Sequence, residues 1–164
     1  MTAGIEAAPV RKTITVHAPV RDAFEVFTQE VDTWWPRTHH IGKTPMVSVT
    51  IEPRTGGTCY TRHEDGSVAI WGHVLAWEPP TRLVLAWQVT HEFGHQPDIA
   101  RASEVEVRFT PIARESTRVD LEHRLLERHG AGAAAMRQVV DAPNGWSTIL
   151  GLYCRRAEQP QTEP

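Results

Sequence analysis

The sequence predicts an α+β fold in which an antiparallel sheet packs its inner face against a C-terminal helix. Three observations support this prediction. A strand and a helix open the chain, strand-like segments fill residues 46–124, and an amphipathic helix follows near the end. An antiparallel sheet of this kind buries one face, and the last helix is the only other long element, so the two are expected to pack together.

The first strand and the first helix are predicted from hydrophobic periodicity. The segment Arg11–Val16 places Ile14 and Val16 on one face, as a strand with one buried face does. Pro19 suits the first turn of a helix, because the N–H that proline lacks has no partner at that position. Apolar residues then follow at helical spacing, at Val20, Ala23, Phe24 and Phe27.

Six further segments have the pattern of strands and are separated by turn-forming residues. They are Met46–Glu52, Thr58–His63, Val68–Trp77, Arg82–Val89, Ser103–Thr110 and Thr117–Arg124. The first of them is expected to bury Val47, Val49 and Ile51. In the last two, apolar and charged residues alternate, which is typical of an antiparallel sheet with one solvated face. Glu104 and Glu106 are expected on that solvated face.

The chain after the sheet is predicted to be helical. A short helix over Gly132–Val140 ends before Pro143, and Asn144 is a suitable N-cap for the last helix. In that last helix the apolar residues recur at the spacing of one face, at Trp146, Ile149, Leu150, Tyr153 and Cys154.

The composition is that of one globular domain. The 164 residues are 40% hydrophobic and 23% charged. We expect a single domain over residues 10–158, with disordered tails at 1–9 and 159–164. The first ten residues lack the pattern of a signal peptide, and the two cysteines are expected to be reduced, so a cytoplasmic location is predicted.

The charge balance limits the partners. The formal net charge is −3, so no nucleic-acid partner is expected. No apolar run approaches the roughly 20 residues that cross a bilayer, so no membrane insertion is expected either. These observations leave a small molecule or another protein as the expected partner.

Residues 91–95, with the sequence HEFGH, match the H-E-x-x-H signature of zinc metallopeptidases. That chemistry needs a helix, which puts both histidines on one face. Here the motif follows a strand directly, Gly94 weakens any helix, and Pro97 ends it. We therefore predict a loop and no metal site. Elsewhere no serine lies in a G-x-S-x-G elbow and no phosphate-binding glycine loop occurs, so no cofactor is expected and no catalytic residue is assigned.

Two residue types point to a site inside the fold, because the chain has six tryptophans and nine histidines. Strand alternation turns His123 inward, where it is either a hydrogen-bonded core residue or a polar anchor for a ligand. The tryptophans either fill the core or line a cavity for a flat apolar ligand. His39 and His40 are expected either in a solvated loop or in contact with the mouth of the cavity.

A series of short motifs resembles the activator-of-heat-shock-protein-90-ATPase-like (Aha-type) family of the SRPBCC (START/Bet v 1-like) superfamily. The matching segments are APV at 18–20, WWP at 34–36, IEPR at 51–54, WGHV at 71–74, EPPTRLVLAW at 78–87, EVEVRFT at 104–110, VDLEH at 119–123 and NGW at 144–146. The resemblance covers roughly residues 10–157. It implies a helix-grip fold, in which a curved antiparallel sheet of about seven strands wraps the C-terminal helix, and an apolar cavity between them.

Because one fold serves many functions, the resemblance leaves three possibilities. The first is a protein without catalysis that binds an apolar or lipid-like small molecule in the cavity. The second is a cyclase-like or hydrolase-like enzyme that uses His123. The third is a co-chaperone-like module with a chaperone partner, and a homodimer is open in each case. The candidate ligand-binding residues are Phe27, Trp34, Trp35, Trp71, Trp87, His123, Trp146, Leu150 and Tyr153.

Overall fold

Seven strands form one antiparallel sheet in the computed structural model, which describes residues 8–159. The strands are β1 (Val10–Val16), β2 (Met46–Ile51), β3 (Thr58–His63), β4 (Val68–Glu78), β5 (Arg82–Trp87), β6 (Ser103–Ala113) and β7 (Ser116–Arg124). Their order across the sheet is β1-β7-β6-β5-β4-β3-β2. The strands β2 to β7 therefore follow one another as a meander, and β1 pairs with β7. The predicted tails lie almost entirely outside the described residues.

The α-helices of the described chain are α1 (Val20–Thr28), α2 (Ala133–Asp141) and α3 (Thr148–Ala157). The helix α1 follows β1, whereas α2 and α3 follow β7. The last helix packs against α1 and β1 on the inner side of the sheet. This arrangement confirms the α+β helix-grip fold, with a curved sheet around the C-terminal helix. No helix within residues 8–159 is long and apolar enough to cross a membrane.

An aromatic cluster fills the space between α1, α3 and the middle of the sheet. Phe24 and Phe27 of α1 lie 5.2 Å and 5.8 Å, ring centroid to ring centroid, from Phe109 of β6. Tyr153 of α3 lies 5.0 Å from Phe27. These four rings and Trp34 are all buried, so side chains fill this part of the interior.

The start of α3 differs from the prediction. Asn144 makes no capping hydrogen bond, and a wide turn at Pro143–Ser147 precedes the helix. The physical reason is Gly145, whose φ of −87° and ψ of −133° are not helical. A Cβ at this position would lie 2.3 Å from the carbonyl oxygen of Val140, so the end of α2 and the approach to α3 meet backbone to backbone.

Two predictions about side-chain exposure were wrong. Val47 is 56% exposed, because a bulge between Met46 and Ser48 turns Met46 into the core in its place. On the outer face, Glu106 is not a solvated charge but is only 6% exposed.

Glu106 lies among three guanidinium groups on the outer face. Its carboxylate is 2.6 Å from Arg82, 3.1 Å from Arg108 and 3.0 Å from Arg124. Burial acts to raise the pKa of Glu106, but the hydrogen bond from Arg82 and the charges of the three arginines hold the pKa below its ordinary value. These ion pairs tie β5, β6 and β7 together on the face away from the helices.

The two cysteines are free thiols in different environments. Cys59 is buried on β3, and Cys154 on α3 is half-buried. Burial raises the pKa of Cys154 to about 11, with a smaller effect from the charge of Glu158. Burial also raises the pKa of Cys59, so both thiols are protonated at neutral pH.

Candidate functional site

A cavity of about 520 Å³ lies between the sheet, α2 and the turn before α3. This volume is within the range of about 300–1,000 Å³ that is typical of small-molecule sites. Strands, helices and loops all contribute to the wall, which consists of Trp35, Thr38, His39, His40, Ile41, Trp71, Trp87, Val89, Phe93, Met136, Val139, Val140, Asn144, Gly145, Trp146 and Ile149. None of these described lining residues is Asp, Glu, Lys or Arg.

Four tryptophans dominate the wall. Trp71 and Trp87 stand on the neighbouring strands β4 and β5, with ring centroids 5.9 Å apart. Trp35 follows the turn after α1 and stacks on Trp71, at 5.6 Å and an interplanar angle of 17°. Trp146 precedes α3 and lies 5.5 Å from Trp87. The four rings make a continuous aromatic wall that no single segment of the chain could form.

His123 lies behind this wall rather than in it. The indole N–H of Trp146 donates to Nδ1 of His123 over 3.1 Å. Nδ1 is therefore the unprotonated nitrogen, and Nε2 donates to the hydroxyl of Ser103 over 2.8 Å. The Ser103 hydroxyl is also 2.7 Å from Nε2 of His129. Both ring nitrogens of His123 are thus engaged, and the geometry gives it the role of positioning Trp146.

Burial also determines the charge of His123. Its side chain is fully enclosed, and desolvation, with a smaller effect from His129, lowers its pKa to about 3. The ring is therefore neutral at physiological pH. Burial likewise lowers the pKa of His40, with a further contribution from His63. These two imidazoles place no positive charge at the cavity near neutral pH.

The segment 38–41 forms part of the cavity wall, so His39 and His40 lie at the cavity and not in a solvated loop. The backbone carbonyl of His39 accepts a hydrogen bond from the Trp35 indole over 2.8 Å. Its ring donates through Nε2 to the carbonyl of Asn144, also over 2.8 Å. These bonds connect the segment after α1 to the turn before α3, so His39 joins two sides of the cavity mouth. The bond to Asn144 joins residues that are 105 positions apart, so a local pattern does not reveal it.

The nine predicted ligand-binding residues fall into three groups. Trp35, Trp71, Trp87 and Trp146 line the cavity. His123 lies directly behind Trp146. Phe27, Trp34, Leu150 and Tyr153 lie in the buried core instead. The predicted apolar face of α3 is buried, but only the first turn of the helix contacts the cavity, through Ile149.

Several wall residues were not predicted. On α2, Met136, Val139 and Val140 line the cavity, and their i, i+3, i+4 spacing is a signal that could have identified them. Phe93 is a further example.

The HEFGH segment forms a loop, as predicted. Val89 and His95 pair across it, and the N–H of Phe93 donates to the carbonyl of Thr90 over 2.9 Å. Phe93 has a φ of 63°, and its side chain is 56% exposed at the cavity mouth. Within residues 8–159, no group of three or more His, Cys, Asp or Glu side chains is arranged to hold a metal ion.

Solved structures with similar folds were identified by comparison with this chain. An anthrahydroquino-γ-pyrone synthase, Txn09, solved in complex with SUM, is 38% identical, covers 90% of this chain and 95% of its own, and has a TM-score of 0.64. The self-sacrificing resistance protein CalC from Micromonospora echinospora is 26% identical, covers 93% of this chain and 95% of its own, and has a TM-score of 0.63. Protein NE0264 from Nitrosomonas europaea is 13% identical, with coverages of 96% and 97% and a TM-score of 0.65, and shows the fold alone.

No curated protein matches the chain significantly. A family model, in contrast, matches most of it. The model described as "Activator of Hsp90 ATPase homolog 1-like protein" matches residues 17–151. This match includes six of the seven strands, all of α1 and α2, and the whole of the aromatic wall. The chain therefore belongs to the family of activator of Hsp90 ATPase homolog 1-like proteins, which confirms the resemblance seen in the sequence.

Proposed function

We propose that this protein binds a flat, mostly apolar aromatic small molecule in the cavity between the sheet, α2 and the start of α3. The observation that carries the proposal is the wall of Trp35, Trp71, Trp87 and Trp146. Large planar rings offer apolar contact area and edge-to-face or stacked geometry to another ring system. A cavity of about 520 Å³ has room for a fused-ring ligand.

The absence of charge from the described lining residues supports the same ligand class. A buried carboxylate or ammonium group on the ligand would need a partner of opposite charge, which the wall does not offer. Burial of apolar surface would therefore supply most of the binding free energy. A fatty acyl chain would satisfy this condition too, but it would not use the ring geometry of the four tryptophans.

The relatives add support for a fused-ring ligand. Txn09 is named as the synthase of an anthrahydroquino-γ-pyrone, which is a fused aromatic ring system, and it shares 38% of its residues with this chain. We infer a ligand of that general shape. We also propose the cytoplasm as the compartment, since two free thiols suit a reducing environment.

Equilibrium dialysis against fluorene, a planar tricyclic hydrocarbon, tests the proposal. We expect saturable binding of fluorene and much weaker binding of oleate. Val139→Trp places a ring inside the cavity and should abolish fluorene binding. The matched control is Gln138→Trp, which adds the same ring on an exposed position of the same helix. Absence of fluorene binding, or equal binding by the two variants, would contradict the proposal.

A second candidate function is catalysis on such a ligand. The identity with a synthase favours it, and so does His40, whose ring nitrogen Nδ1 is buried in the wall without a hydrogen-bond partner. A neutral imidazole at this position can exchange a proton with a bound ketone or phenol. We expect that His40→Asn would lower turnover of the Txn09 substrate by at least about 100-fold, with a far smaller loss of fluorene affinity. Product detection by mass spectrometry checks this, and a wild-type chain without turnover would remove this candidate.

A further inference from the structure

Unpartnered polar atoms concentrate at the cavity. Within residues 8–159, the buried side-chain nitrogen or oxygen atoms without a hydrogen-bond partner are Nδ1 of His40, Nε1 of Trp71 and Nε1 of Trp87. All three belong to residues that line this one cavity. In folded proteins roughly 90% or more of buried polar groups are paired, so three exceptions at one site need a common explanation.

The remaining tryptophans near the cavity show that packing permits such pairs. The indole N–H of Trp34 donates to the carbonyl of Val26 over 2.7 Å, and that of Trp35 donates to the carbonyl of His39 over 2.8 Å. The indole of Trp146 donates to His123. Trp71 is as deeply buried as these rings, at 6% exposure, and yet its N–H has no acceptor. The missing acceptors at Trp71 and Trp87 are therefore a property of the site and not of tryptophan in this fold.

The chemistry of the unpartnered groups restricts what can satisfy them. An indole N–H is only a donor, so its complement must be an acceptor. The rings of Trp71 and Trp87 are neighbours, with centroids 5.9 Å apart and an interplanar angle of 65°. A carbonyl oxygen has two lone pairs and can accept from two donors. The described lining holds no lysine or arginine to pair with a buried carboxylate, which favours an uncharged acceptor.

We infer that the ligand of this cavity is a planar aromatic ketone or quinone whose carbonyl oxygen accepts hydrogen bonds from the indole N–H groups of Trp71 and Trp87. The inference rests on the proposed function and specifies it. Both indole nitrogens are buried, so this binding mode requires the two rings to turn toward the ligand. The tryptophans then supply both the apolar surface that holds the rings and the donors that select an oxygenated edge.

The experiment compares 9-fluorenone with fluorene, which differ only by the carbonyl group. In equilibrium dialysis, the wild-type protein should bind fluorenone about tenfold more tightly, the effect of hydrogen bonding in a shielded site. Trp71→Phe and Trp87→Phe keep an aromatic ring but remove the N–H. Each should reduce this selectivity ratio to about two- or threefold.

Trp34→Phe is the matched control. It removes an indole N–H from the core, where the group already has a partner, and should leave the selectivity ratio at its wild-type value. A wild-type ratio near one, or a ratio unaffected by Trp71→Phe and Trp87→Phe, would overturn the inference while leaving fluorene binding and the proposed function intact. Binding of neither compound would overturn both.

A measurement on the wild-type protein makes the test independent of the folding of the variants. In ¹⁵N-edited NMR spectra, the indole N–H signals of Trp71 and Trp87 should move downfield when fluorenone is added. Fluorene should not cause a downfield movement of this kind. Equal responses to the two compounds would also contradict the inference.

Discussion

The interior of this protein has a filled half and an open half, built from the same sheet and from neighbouring helices. In the filled half, Tyr153 donates its hydroxyl to the carbonyl of Ala23 over 2.7 Å, and Trp34 donates to Val26. In the open half, Trp71 and Trp87 surround a cavity and have no acceptor for their N–H groups. Aromatic residues are abundant in both halves, so their number does not distinguish a filled core from a cavity wall. Within residues 8–159, the unpartnered buried side-chain nitrogens distinguish them, since all of these nitrogens belong to residues of the cavity wall.

The largest difference between the halves should appear in stability. Phe27→Ala removes a ring from the filled half, where Phe109, Trp34 and Tyr153 surround it. We expect a loss of about 3–5 kcal/mol in the free energy of unfolding, because the contacts and the packing are both lost. Ile41→Ala in the half-buried cavity wall should cost less than about 2 kcal/mol, since it only enlarges an existing space. Urea denaturation measures both, and equal losses would remove the distinction between the halves.

The second prediction concerns the border between the halves, where His123 supports the aromatic wall. Its pKa is lowered to about 3 in the folded protein, below the ordinary value of about 6.5. The unfolded chain therefore binds more protons between these pH values, so the folded state loses stability as pH falls from about 6.5 toward 3. This one group contributes up to about 1.4 kcal/mol per pH unit in that window.

His123→Asn should flatten this pH dependence and leave a smaller slope. His129 is near the same Ser103 hydroxyl, and burial lowers its pKa too, so it adds to the slope in the same direction. His129→Asn is therefore the control that measures the contribution of His129 to this slope. Urea denaturation at a series of pH values measures the slopes, and an unchanged slope in His123→Asn would show that this histidine is not buried in its neutral form.

The smallest expected effect is at the mouth of the open half. Phe93 has a left-handed backbone conformation that a bulky residue adopts only at a cost of about 1–3 kcal/mol, and it exposes its ring at the cavity. Phe93→Gly should relieve this strain and stabilise the fold by about 1 kcal/mol, while fluorene binds more weakly. Asparagine tolerates the same backbone conformation, so Phe93→Asn should also raise the stability and weaken fluorene binding. A loss of both stability and affinity would show that Phe93 serves packing alone.

The sequence was sufficient to predict the strands, the helices and their general packing. The alternation in β6 and β7 and the helical face of α3 are local patterns, and the structure confirms both. The predicted burial of Val47 is wrong because a bulge shifts the alternation by one residue. The sequence of a short apolar segment does not show where such a bulge lies.

The division of the tryptophans between core and cavity could not be predicted in the same way. Trp34 and Trp35 are adjacent in the sequence, yet one is in the core cluster and the other in the cavity wall. Whether each tryptophan lies in the core or in the cavity wall depends on α2 and on the segment 38–41. These segments close the cavity through contacts such as the hydrogen bond from His39 to Asn144. Such contacts join residues far apart in the chain, and periodicity within one segment does not reveal them.

The arginine cluster around Glu106 separates the residues that hold the sheet together from the residues that line the cavity. Because strand residues alternate between faces, the charges that hold β5, β6 and β7 together lie on one side of the sheet and the wall of the cavity on the other. A substitution in the cavity wall therefore leaves these ion pairs in place. The residues that hold the sheet together and those that line the cavity can thus change independently of each other, and a protein that is 13% identical has the same fold.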